Sequence, residues 1–308
     1  MRMETMEEYL RGRLKVELLK LDRLRAVATI PPDLQGPPAA GHGGGTTALL
    51  LEMVRMVVGE RGGEVVLPRP LVVDVTLHRE MPLDTPVRAE VEPAAGGWRS
   101  RLVREDRLVA EASVFPGPSP LEGPAPEIRR RWEGRGGSDR VVPGYEWCLG
   151  CGFKNPRGAQ VRFAYDESFM WRRLAPQPHF RCADGSLAQG YACIVTDELG
   201  WWMGALRQGE CGLSSRVRVT LGDPVTHATP LVAFGDRAAV AAVDGKGRVW
   251  ATRAVLVTED WRPVAAADVQ FSGSRAFTKT MLSRFVLDDG GKSLRAAFPR
   301  YADQIGSA

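Results

Sequence analysis

Apolar residues recur at helical spacing near the N-terminus. Met6, Leu10, Leu14, Leu18 and Leu21 run through a charged stretch and predict an amphipathic helix over 4–24. The chain then turns extended (AVATIPP), and the prolines and glycines of PPDLQGPPAAGHGGG predict a loop. TTALLLEMVRMVVG follows, apolar on nearly every face, so the helix it forms must be buried all round. LVVDVTL, VRAEVEP, WRSRLVRED and RLVAEASVF read as strands. Between 116 and 144, Pro, Gly and Arg crowd together as a linker or an ordered crossover strap. The pattern then resumes. CLGCGFKNPRG leads into a second apolar helix (LAQGYACIVTDELGWWMGAL) and the strands SSRVRVTL, PLVAFG, AAVAAVD and RVWATRAVLVT. The tail from 275 predicts a terminal helix and a mobile end.

The second half repeats the first. VDVTLHREMPLDTPVRA lies over VRVTLGDPVTHATPLVA at an offset of 144, with identities at Val73, Val75, Thr76, Leu77, Thr85, Pro86 and Ala89. The central helices correspond with Glu52 near Asp197, and RLVAEASV matches RVWATRAV at an offset of 141. A helix apolar on all faces needs a sheet wrapped around it. Two such units can join their sheets edge to edge, which removes an exposed edge from each and makes a covalent pseudo-dimer. The expected class is therefore α+β, with two tandem repeats, each an antiparallel sheet around a central buried helix. The N-terminal repeat spans 1–118, the linker 119–144, the C-terminal repeat 145–285 and the tail 286–308.

Composition narrows the function. Of 308 residues, 41 are Lys or Arg and 37 are Asp or Glu, a net +4 too small and too scattered to predict nucleic-acid binding. A mildly basic surface suits an anionic ligand such as a phosphorylated cofactor. No apolar run has the length of a membrane span, and the charged N-terminus lacks a signal-peptide core, so a cytoplasmic protein is expected. Five irregularly spaced cysteines are not a disulfide framework.

Neither GxSxG nor HExxH occurs, and GGKS at 290–293 lacks the first glycine of a phosphate loop because Val286 stands there. None of His42, His78, His179 and His227 has a partner at metal-ligand spacing, so no metal is expected. Three signals remain. GHGGG opens a buried helix, where free N–H groups beside Gly43, Gly44 and Gly45 can hold a developing oxyanion, unless the glycines only loosen a loop. Carboxylates sit inside both apolar helices: Glu52 in the first, Asp197 and Glu198 in the second. Burying such groups is costly and is accepted more readily where an acid or base is needed. The structural alternatives are a Glu52–Arg55 pair and a polar strip capped by Gly200. Finally, CLGCGFKNPRG carries a CxxC, yet no second CxxC completes a zinc site, and Cys182, Cys193 and Cys211 are scattered. A structural turn before a strand is the expectation, with Asn155 placed to offer an amide to a ligand. Trp201 and Trp202 read as core packing or as the lining of a ligand channel.

These residues resemble the hotdog-fold thioesterase superfamily, in particular its PaaI-like branch, over roughly 26–115 and 148–272. GHGGGTTALLLE looks like the HGG, helix and carboxylate pattern of that branch, with one extra glycine. DGSLAQGYACIVTDELGWW looks like a second copy whose HGG has become Ala188, Gln189 and Gly190. CLGCGFKNPRG is similar to the segment that opens many relatives. The resemblance implies a tandem double hotdog acting as an acyl-CoA thioesterase, with coenzyme A as part of the substrate and no separate cofactor. It also implies a helix carboxylate as base or nucleophile and helix N-terminal N–H groups, with His42, as the oxyanion side, drawn from opposite units. Asp197, with Glu198 beside it, would then work with Gly43, Gly44 and Gly45, while Glu52 would face the eroded Gln189 and Gly190. Further assembly of double hotdogs is expected. The competing expectations are a non-catalytic acyl-CoA-binding module and a hotdog dehydratase or hydratase, whose Asp–His motif is not found here.

Overall fold

The computed structural model describes residues 3–20, 22–59, 67–118, 121–134 and 140–306. Repeat 1 consists of a hairpin, β1 (Leu14–Lys20) and β2 (Arg23–Thr29), helix α2 (Gly43–Gly59), β3 (Leu71–Leu77), β4 (Pro86–Ala94), β5 (Gly97–Arg104) and β6 (Arg107–Pro116), preceded by α1 (Met6–Arg11). The linker holds α3 (Pro126–Glu133). Repeat 2 consists of β7 (Ala164–Tyr165), β8 (Phe169–Leu174), α4 (Gln189–Gln208), β9 (Gly212–Leu221), β10 (Leu231–Asp236), β11 (Ala241–Ala242), β12 (Val249–Thr258) and β13 (Pro263–Gly273). The chain closes with α5 (Arg275–Leu282) and α6 (Lys292–Ala297).

The main strands form one antiparallel sheet in the order β1-β2-β4-β5-β6-β3-β9-β13-β12-β10-β8-β7. The order is the same read inward from either end, so β2, β4, β5, β6 and β3 are equivalent to β8, β10, β12, β13 and β9. β3 and β9 meet at the centre, with Val73 opposite Val219 and Val75 opposite Val217. At the repeat offset Val73 corresponds to Val217, which faces Val75, and Val75 to Val219, which faces Val73, so Asp74 and Arg218 lie on the pseudo-twofold axis. A true homodimer would set a residue against its own copy there. The fused chain instead pairs Asp74 with Arg218 and with Arg216, whose guanidinium donates to both carboxylate oxygens at 2.9 and 2.6 Å. α2 and α4 are buried side by side within the curve of the sheet. They approach closely because Gly44 has no side chain: a Cβ there would stand 2.4 Å from the Cys193 carbonyl oxygen.

Several expectations are corrected. The helix predicted over 4–24 exists only over Met6–Arg11, where Thr5 and Glu8 form a capping box and Gly12 ends it. Residues 14–20 and 23–29 pair as the β1–β2 hairpin instead. Met6, Leu10, Leu14 and Leu18 are four apart, and four is also a multiple of the strand period, so the spacing fits either element. Leu21 lies outside the described residues. The match at offset 141 does not hold either. β6 pairs with β3 as β13 pairs with β9, which makes Val114 the counterpart of Val269. The two-residue turn between β4 and β5 is replaced in repeat 2 by the excursion 237–248, which shifts the register. The tail is not a mobile end through 306: Phe298, Tyr301 and Ile305 are buried. Residues 307–308 lie outside the described ones, as do 119–120 and 135–139 of the linker. No helix among the described residues is long and apolar enough to cross a membrane.

The linker is a strap across the outer face of the repeat 2 sheet. Trp132 of α3 packs against Phe234 and edge-on to Trp261, with Val232 and Val257 in the same cluster. Trp132→Ala is expected to cost about 3 kcal/mol in urea unfolding. A loss within experimental error would show that the strap adds nothing to stability.

Candidate active site

A cavity of about 280 Å³ lies where the N-terminus of α2 meets the middle of α4. Its walls are largely apolar, with Trp201, Met281 and Phe285 among them, and its polar lining includes His42, Asp197, Glu198 and Ser214. Both tryptophans of the Trp201–Trp202 pair therefore face it as well as the core.

Asp197 belongs to repeat 2 but lies against the first turn of the repeat 1 helix. The Gly44 N–H donates to Asp197 Oδ2 at 2.7 Å, and Ser214 Oγ donates to Oδ1 at 2.8 Å. A helix N-terminus offers unpaired N–H groups and positive potential, so a buried carboxylate is tolerated there. Gly43 is tightly set, because a Cβ would stand 2.8 Å from Asp197 Oδ2. Gly43 lines the cavity, and no hydrogen bond donated by its N–H is found among the described residues.

His42 connects the two acids of α4. Nε2 lies 3.0 Å from Glu198 Oε2 and Nδ1 lies 3.4 Å from Asp197 Oδ2. Burial opposes charge on the imidazole, but hydrogen bonds with Cys148 and Glu198 and the negative charges around it raise its pKa well above the ordinary value. Glu198 is pushed up by burial, yet His42 and the bonds from Cys151 and Trp202 hold it below its usual range. Burial dominates at Asp197, whose pKa is raised despite His42, Ser214 and Gly44. His42 and Glu198 thus form an ion pair, and Asp197 is the carboxylate poised to exchange a proton.

The other predicted residues lie elsewhere. Glu52 is buried outside the cavity, bound by Arg11 of α1 and lying 3.5 Å from Arg55. Its expected partners Gln189 and Gly190 start α4, where Gly190 packs on Ala48 of α2 with Met6 of α1 beyond it, and the Gln189 Oε1 has no hydrogen-bond partner among the described residues. α1 therefore fills the reciprocal position. Asn155 does not reach the cavity: its amide donates to the carbonyls of Asp33 and Trp147 at 2.7 and 2.9 Å, docking the CxxC loop on repeat 1. That loop is the positional counterpart of α1. Each precedes the outer hairpin of its repeat, and Leu149 meets Gly45 as Met6 meets Gly190. Two features escaped sequence reasoning. Ser214 carries no local signal, and Cys148 joins His42 and Glu198 only through the tertiary fold.

The geometry matches known architectures. The chain is similar to a thioesterase candidate from Novosphingobium aromaticivorans, at TM-score 0.53 and 16% identity, over 84% of this chain and 98% of that one. It is similar to a protein from Alicyclobacillus acidocaldarius with a hot dog fold, at TM-score 0.51 and 11% identity, over 82% and 93%. The dehydratase domain of RzxB from Pseudomonas fluorescens also matches, at TM-score 0.51 and 13% identity, over 81% and 94%. The chain is a double hotdog. No family model matches it, and no curated protein is significantly similar to it in sequence. At these identities the double hotdog is what the likeness carries, and its chemistry rests on the site.

Proposed function

We propose that this double hotdog hydrolyses acyl-CoA thioesters, with Asp197 as general base and the Gly43 N–H in the oxyanion hole. The observation that carries the reading is the placement of Asp197 of one repeat at the N-terminus of the other repeat's helix, on an apolar-walled cavity. The acyl group enters beside Trp201 and Phe285. Asp197 takes a proton from water as the water oxygen attacks the thioester carbonyl. The carbonyl oxygen becomes an oxyanion that accepts from Gly43 N–H, in the positive field of α2. Collapse breaks the C–S bond, and the proton held by Asp197 passes to the departing thiolate, giving a carboxylic acid and free coenzyme A. A raised pKa suits Asp197 to this task, since it brings proton affinity closer to neutral pH.

A second reading is favoured by one observation. His42 of the first unit and the α4 acids of the second form an acid–base array that the sequence motif did not disclose. Such a pair also suits dehydration of a 3-hydroxyacyl thioester. A panel of acyl-CoAs and 3-hydroxyacyl-CoAs, followed for thiol release and for enoyl absorbance, separates the two. Thiol release supports hydrolysis, enoyl formation without thiol supports dehydration, and saturable binding with neither supports a binding module.

Ser214 allows a test by pH. Its O–H stabilises the ionised Asp197, which holds the pKa down. The base must be ionised, so activity falls as pH drops through that pKa. In Ser214→Ala the acid limb of kcat/KM is expected to move to higher pH. A limb that stays in place or moves down excludes Asp197 as the titrating base.

A further inference from the structure

The CxxC loop stands against the buried His42–Glu198 pair. Cys148 Sγ lies 3.6 Å from Glu198 Oε2, His42 Nε2 lies 3.0 Å from the same oxygen, and the three donor atoms are all within 4.8 Å of one another. Cys151, three residues on, is buried and lines the same cavity, outside that group of three. We propose that His42, Cys148 and Glu198 hold a zinc ion, with Cys151 turning in as its fourth ligand, and that the ion locks the interdomain loop onto the double hotdog.

The distances suit the ion. Around a tetrahedral zinc, bonds of about 2.3 Å to sulfur and about 2.0 Å to nitrogen or oxygen place S and O donors roughly 3.6 Å apart and N and O donors roughly 3.3 Å apart. The pairs found here, at 3.6 and 3.0 Å, need little movement to accept it. The donor set of two thiols, an imidazole and a carboxylate is one that zinc takes.

The loop is also shaped for metal binding. The Gly150 N–H donates to Cys148 Sγ at 3.3 Å, and the Gly152 N–H donates to the Cys148 carbonyl at 2.9 Å, which closes a tight turn around the first cysteine. Gly150 has no room for a side chain, because a Cβ would fall 2.4 Å from Glu198 Oε2. Asn155 clamps the far side of the turn. Backbone donors to sulfur stabilise thiolates and tune metal–thiolate centres.

Charge points the same way. His42, Asp197, Glu198, Cys148 and Cys151 are all buried, so one imidazole is set among two carboxyl groups and two thiols at the cavity wall. A divalent cation compensates Glu198 and the thiolates. His42 Nδ1 accepts from the Gly45 N–H at 3.3 Å, which turns Nε2 toward Glu198 and Cys148. His42 and Glu198 would then be metal ligands and positioning residues, with Asp197 left free for chemistry.

Zinc content needs no assumption about the reaction. The full chain is purified reduced, equilibrated with micromolar zinc, desalted and measured by elemental mass spectrometry. The expected result is about one zinc per chain in the wild type and in Cys182→Ser, and background in Cys148→Ser and Cys151→Ser. The wild type is also loaded with cobalt(II), so no variant need fold. Thiolate charge-transfer bands and the intense visible bands of tetrahedral cobalt are expected. Zinc at background in the wild type, or cobalt spectra without thiolate bands, overturns the site. A chain isolated two hydrogens light, with a Cys148–Cys151 disulfide that persists under zinc, also overturns it. A failed metal site leaves the Asp197 base intact, and an inactive but zinc-loaded protein leaves the metal site intact.

Discussion

Asp197→Asn is expected to lower kcat for thioester hydrolysis by roughly 10²- to 10⁴-fold, the usual contribution of a positioned general base. The variant keeps the shape of the side chain, and its amide oxygen still accepts from Gly44 N–H, so the site stays assembled. It loses the proton acceptor. KM should change little, because the acyl group contacts the apolar walls rather than this oxygen. The fold should hold or become more stable, since a carboxylate whose burial raises its pKa destabilises the native state when ionised. The measurement is kcat and KM by thiol release, with thermal unfolding in parallel. Turnover within about threefold of wild type would remove Asp197 from the mechanism and direct attention to Glu198.

Gly44→Ala is the second large effect, and it acts on the fold and the site together. The new methyl group meets backbone: 2.4 Å from the Cys193 carbonyl oxygen and 2.7 Å from Ile194 Cα. Backbone of a buried helix cannot turn aside as a side chain can, so α2 and α4 must separate. Overpacking of this kind costs about 3 kcal/mol. The separation also draws the helix N-terminus from Asp197, so activity should fall further than the folded fraction does. Gly43→Ala is the informative contrast. The three atoms nearest its Cβ all belong to the Asp197 carboxyl group. It should lose activity with a much smaller change in stability. Equal melting temperatures for Gly44→Ala and wild type would show that the helices have slack at this crossing.

The duplication was legible because apolar alternation is a local property. The run from Val73 to Ala89 returned intact at 217–233, and the structure places those strands as β3–β4 and β9–β10. The same kind of pattern misled where it stood alone. RLVAEASV and RVWATRAV alternate alike, but the excursion at 237–248 puts them at different positions in the sheet. Leucines four apart at the N-terminus satisfied a helix and a strand equally, and the hairpin partner decided between them.

Sequence alone determined the two buried helices, the glycines that open the first and the carboxylates inside both. Each follows from side-chain chemistry read against a period of 3.6 or 2. Only the tertiary structure decided which of those groups meet. Gly44 and Asp197 are 153 positions apart and touch because α2 and α4 pack side by side within the sheet. Glu52 has the same local setting as Asp197, yet α1 fills its side with Arg11, while the CxxC loop leaves a cavity on the other. Periodicity fixes the face a residue presents. What occupies the space before that face depends on chain that is remote in sequence, and no local pattern encodes it.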